Sequence, residues 1–230
     1  MFILTEHTPN PEALKFVPHV RLTEGASWSF RRAGFDSAAS PLAARLFALE
    51  GVRQVFVAPD FVTVSREDDG PGWDQLRYQV IAAIADHLES GVSAVAATAP
   101  DPVAPDDDLE AEIREVLGRH VRPGVARDGG DVLFDRFERQ SGVLWIRMQG
   151  ACGGCPSARL TLKSGVERIV RHYVPEVLRV EETASDEAAE PSRPRRWGAD
   201  ARTRASARGR TLFTHSGREI GRRVDARGGG

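Results

Sequence analysis

Apolar positions recur along this chain at two different spacings, and the changes between them outline its elements. Leu14, Phe16 and Pro18 sit in a short extended run. It follows Thr8-Pro9-Asn10-Pro11, where two prolines forbid regular helix. Ser40-Pro41 has the form of a helix start, an N-cap with proline in the first turn. Leu42, Leu46 and Leu49 then repeat at helical spacing until Gly51. Val52 to Val57 and Phe61 to Val64 are β-rich runs separated by Ala58-Pro59-Asp60, which predicts a hairpin. From Trp73 to Ser90 the spacing is helical again, with Leu76, Val80, Ile84 and Leu88 on one face and Gly91 as the stop.

The periodicity then lapses. Between Gly91 and Pro105, small residues and three prolines replace it, as in a linker. Asp106, Asp107 and Asp108 open a new helix, where acids complement the positive end of the dipole, and Leu109, Ile113, Val116 and Leu117 form its buried stripe. Asp131 to Phe137 and Val143 to Met148 read as two antiparallel strands around a turn at Glu138 to Gly142. Ser157 to Tyr173 has a helical stripe through Leu160, Leu162, Val166, Ile169 and Val170. Val177 to Val180 adds a last strand. The fold class expected is α+β. Two small mixed domains, 1–91 and 106–182, are joined by a Pro/Ala-rich linker over 92–105, and the second is a β-hairpin packed with helices. A basic, disordered tail is expected over 183–230.

Composition narrows the function. Apolar residues make up 41% and charged residues 28% of the 230, as in ordinary globular proteins, and charges interrupt every apolar stretch well short of a bilayer span. Neither a secretory nor an Arg-rich transit pattern opens the chain, so a cytoplasmic location is expected. The net charge of −2 conceals an arginine-rich end after Pro191, read as a solvated tail rather than a surface for nucleic acid or membrane. The chain has 2 cysteines, too few for a disulfide scaffold. Two thiols at Cys-x-x-Cys spacing point instead to metal, cluster or redox chemistry.

Those two are Cys152 and Cys155, in Gly150-Ala151-Cys152-Gly153-Gly154-Cys155-Pro156-Ser157, between a predicted strand and a predicted helix. A loop this short turns both sulfurs to one side, where they can bite one centre. Unpaired amides and the dipole at the helix start are expected to lower the thiol pKa values. Glycines allow backbone amides close to sulfur. An iron–sulfur cluster takes four thiolates and a structural zinc four ligands, whereas one chain brings two sulfurs. A full set therefore needs two copies, with the centre shared across a homodimer and easily released. From spacing alone, three readings stand: a cluster carrier, a dimeric zinc-binding module, and a dithiol–disulfide oxidoreductase. The flanking hairpin fits the last least, because such motifs accompany a βαβ pattern. Asp128 and Asp131 read as turn residues; His120 and His172 could complete a site but read rather as scattered surface histidines, and Arg159 reads equally as a partner for the centre's charge or as a solvated side chain.

The run from Ile113 to Glu181 resembles the C-terminal domain of the NifU-like (Nfu) proteins. It shares Val121-Arg122-Pro123, Asp128-Gly129-Gly130-Asp131, the cysteine loop, Thr161-Leu162-Lys163 and Tyr173-Val174-Pro175-Glu176-Val177. The front of the chain is similar to the Nfu amino-terminal domain through Thr8-Pro9-Asn10-Pro11, Leu14-Lys15-Phe16, Ser40-Pro41-Leu42-Ala43 and Asp60-Phe61-Val62-Thr63-Val64. The resemblance implies a non-enzymatic role in iron–sulfur cluster assembly. A [4Fe–4S] cluster, or a [2Fe–2S] cluster, would be held between two subunits by Cys152 and Cys155. It would come from an upstream assembly scaffold and pass to apo iron–sulfur proteins. The arginine-rich end departs from the family pattern.

Overall fold

The computed structural model describes residues 2–96, 107–153 and 156–183, with no side-chain account of 156–158. Most of the expected linker, and the expected tail from residue 184 onward, lie outside the described residues. All described residues belong to one compact unit, Met1–Arg193.

The chain opens with β1 (Leu4–His7), β2 (Ala13–Val17) and β3 (Trp28–Arg31). Ser40 then caps α1 (Pro41–Phe47): its side chain accepts from the Ala43 amide, with proline in the first turn. β4 (Val52–Val57) and β5 (Val62–Arg66) form the expected hairpin, and α2 (Trp73–Glu89) follows. The five strands make one antiparallel sheet in the order β1-β2-β5-β4-β3. Leu42, Leu46, Leu76, Val80 and Ile84 from the helices meet Leu14, Phe16, Val55, Val57, Val62 and Val64 on one face of it. The two strands not foreseen, β1 and β3, are short edge strands, too brief for alternation to register.

His87 is buried in α2. Burial first, and the positive charge of Arg45 second, hold its pKa below the ordinary 6.5, outweighing a backbone contact at Val92. The imidazole therefore stays neutral in the fold while an unfolded chain takes up a proton as pH falls below 6.5. Stability is lost on that acid side. Urea unfolding of His87→Leu and the parent at pH 7 and pH 5 should show the difference shifting in the variant's favour at the lower pH; an equal difference at both contradicts the assignment.

The second half begins with α3 (Asp108–Val116), capped by Asp107, whose carboxylate accepts from the Glu110 amide. One π-helical turn, Leu117–Val121, passes into α4 (Arg122–Arg127). The helical run thus extends well past the expected stripe, with Pro123 in the first turn of α4 just after the π-helical turn. β6 (Gly130–Glu138) and β7 (Val143–Gly150) pair antiparallel. α5 (Pro156–Tyr173) leads to β8 (Arg179–Glu182), which lies parallel to β7, two residues later than the expected strand. The sheet order is β6-β7-β8, and its core gathers Ile113, Leu117, Val132, Leu144, Ile146, Met148, Val166 and Val170. The α+β reading holds. No described helix is long and apolar enough to cross a membrane.

The two sheets meet. β4 is buried without interruption from Gln54 to Val57 because both its faces are covered. Val55 and Val57 face the helices, whereas Phe56 joins Ala58, Phe61, Val17 and Ala126 of α4 in a separate small cluster.

Candidate metal centre

β7 carries the chain to the site. Leu144, Ile146 and Met148 point into the core, while Trp145 lies on the other face under the guanidinium of Arg136, 4.3 Å from its ring centre. Gly150 ends the strand at φ 69°, a left-handed conformation that turns the chain sharply. A single 3-10 turn, Ala151–Gly153, places Cys152 just before the start of α5. Gly154 and Cys155 lie outside the described residues.

Cys152 is 6% exposed and belongs to the second core. Its sulfur rests against Gly130: a Cβ there would come within 2.6 Å of Sγ and 2.5 Å of the Gln149 carbonyl oxygen. Burial, and then the negative charges of Asp128 and Asp131, push the Cys152 thiol up to about 12. This reverses the lowering expected at a helix start. Desolvation of the thiolate outweighs the helix dipole, since Cys152 precedes α5 rather than capping it. At neutral pH the buried thiol keeps its proton.

The neighbouring candidates are committed elsewhere. Asp131 receives Arg122 through two bonds, Nε to Oδ1 at 2.7 Å and an Nη to Oδ2 at 2.6 Å, and also accepts from the Val132 amide. Arg159 binds Glu182 of β8. His120 stacks on Tyr173 at 4.3 Å between ring centres, and His172 meets the same ring edge-on. Among the described residues, no group of three His, Cys, Asp or Glu side chains is placed to hold a metal ion.

Sequence reasoning missed the partners of the cysteine loop in the first sheet. The Thr63 hydroxyl donates to the Gly129 carbonyl at 2.7 Å, and the Asn10 side-chain amide donates to the Ala151 carbonyl at 3.4 Å. Both side chains are buried. Thr63 pairs in register with Phe56, so both stand on the face opposite the first core. The legible signal was β4 itself: Val55, Phe56 and Val57 do not alternate with polar residues, as a strand with one wet face would.

Two family models match the chain: "Scaffold protein Nfu/NifU N terminal" over residues 3–91 and "NifU-like domain" over residues 113–181. The chain is 40% identical over 195 residues to the human "NFU1 iron-sulfur cluster scaffold homolog, mitochondrial", covering 83% of this chain and 75% of that protein. To "NifU-like protein 4, mitochondrial" of Arabidopsis thaliana it is 42% identical over 196 residues, covering 83% and 69%. Among solved structures, a NifU-like protein from Saccharomyces cerevisiae overlaps at TM-score 0.39 and 24% identity, over 43% of this chain and 87% of that one. The cytoplasmic expectation is overturned by these relatives, which are named as mitochondrial proteins. The opening residues had supplied only the lack of a leader pattern, which is no positive mark of the cytoplasm. By these matches, the chain belongs to the Nfu/NifU family of iron–sulfur cluster scaffold proteins.

Proposed function

We propose that this chain carries iron–sulfur clusters, with two copies binding one [4Fe–4S] cluster through Cys152 and Cys155 of each and passing it to apo-proteins. One observation carries the reading. The chain's 2 cysteines form one Cys-x-x-Cys pair in a protein whose relatives are named iron–sulfur cluster scaffolds. Half a ligand set per chain requires a second copy, and a centre shared between copies can be surrendered without unfolding either. The division of labour follows the expected boundaries: 106–182 holds the cluster, while 1–91 supports it.

Transfer is ligand exchange. An acceptor thiol gives up its proton and its sulfur bonds to iron as the bond to a carrier cysteine breaks, and the released carrier thiolate takes up a proton in exchange. Iron and sulfide keep their oxidation states, and the carrier is left without its cargo until it is loaded again. Loading requires Cys152 to give up its proton and turn its sulfur out of the core, since thiolates are the metal-binding form.

Anaerobic reconstitution with iron and sulfide should give a brown protein with four iron atoms per two chains; two per pair would indicate a [2Fe–2S] cluster. Cys152→Ser and Cys155→Ser should each abolish the colour. A double variant that stays brown would overturn the assignment. So would stoichiometric iron on a single chain without added thiol.

A further inference from the structure

The residues framing Cys152 are held by the amino-terminal sheet rather than by their own half of the chain alone. Thr63 of β5 fixes the Gly129 carbonyl, just before β6, and Asn10 of the turn between β1 and β2 fixes Ala151, just after β7. Those carbonyls belong to the two chain segments on either side of the sulfur, because Gly130 lies against Sγ and Ala151 precedes Cys152. Contact is close along the seam. A Cβ on Gly129 would meet Thr63 Oγ1 and Thr8 Cγ2, each at 3.0 Å, and a Cβ on Gly150 would meet Phe56 Cδ1 at 3.0 Å. Both hydrogen bonds join residues far apart in sequence, so local turn formation supplies neither.

We propose that the amino-terminal sheet is an intramolecular latch on the Ala151–Gly153 turn that carries Cys152. With Thr63 and Asn10 engaged, Cys152 is turned inward; when the seam parts, that turn can swing the Cys152 sulfur outward while both cores remain folded. The seam suits reversible opening. The first sheet keeps its own core, which contains neither Thr63 nor Phe56, and the second keeps a core that includes no residue of the first sheet. Among the described residues, the small Phe56-Ala58-Phe61 cluster, the polar clasps and the close approaches at Gly129 and Gly150 lie between them. The significance of the latch rests on the reading of Cys152 as a cluster ligand, but its existence can be tested with no iron present.

The test uses the full chain with Cys155→Ser, which leaves Cys152 as the sole thiol. Its labelling by a chromogenic disulfide reagent is followed against urea, alongside global unfolding. Opening of the seam alone predicts labelling faster than global unfolding allows, with a much shallower dependence on urea. Adding Thr63→Val and Asn10→Ala should accelerate labelling about tenfold or more in native buffer, beyond any change in global unfolding measured on the same variant. A labelling rate whose urea slope equals that of global unfolding overturns the latch. So does a rate that the double substitution leaves unchanged. Failure to reconstitute a cluster in the unsubstituted chain would count against the carrier reading and leave these labelling outcomes intact.

Discussion

Gly150→Ala is expected to cost about 3–5 kcal/mol of folding stability, from left-handed strain and overpacking together. Gly150 sits at φ 69°, and an added Cβ would lie 2.5 Å from the Gly129 carbonyl oxygen and 2.8 Å from Gly130 Cα. Those neighbours are backbone, so relief requires β6 and β7 to move apart where they pair, at Gly130 and Gly150. On its third side the methyl would press on Phe56. Gly165→Ala provides the contrast. It lies inside α5 with nothing within 4 Å of the new Cβ, and there the same chemical change should stabilise by about 0.5–1 kcal/mol. Urea unfolding of both variants decides the matter; a loss below about 1 kcal/mol for Gly150→Ala would mean that the loop forms without the left-handed turn.

Phe56→Ala should cost about 3–4 kcal/mol, in the range for emptying a buried aromatic site. Phe56 is fully buried, yet it stands apart from both main cores. Its ring tilts against Phe61 at 5.9 Å, and Val17 and Ala126 complete the cluster. Removing it empties the middle of the seam. The prediction fails if chemical unfolding shows a loss typical of a surface position, below about 0.5 kcal/mol.

Much of this architecture is legible in the residues themselves. The Ser40 cap, the β4–β5 hairpin, α2 and the β6–β7 pair all follow from local chemistry, and the structure has each close to its expected bounds. What escaped depends on partners distant in sequence. The last strand begins at Arg179 rather than Val177, because the Val177 amide closes a turn onto the Val174 carbonyl while Val180 pairs beside Leu144. The Cys152 thiol was expected to be acidified by a helix start, an effect the sequence displays; its burial against Gly130 is a property of the assembled hairpin. Likewise Thr63 looks like an ordinary strand threonine until the turn at Gly129 is brought to it.

The parallel pairing of β8 has a consequence for how such a chain is made. β7 has β6 on one side, but its other neighbour comes from Arg179–Glu182, beyond the whole of α5. Glu181 and Glu182 also tether Lys163 and Arg159 early in that helix. During synthesis the hairpin and both thiols therefore leave the ribosome before anything can close that flank or fasten the helix. For the time needed to add some thirty residues, a few seconds at ordinary elongation rates of about 5–20 residues per second, the free edge of β7 stays open on that side.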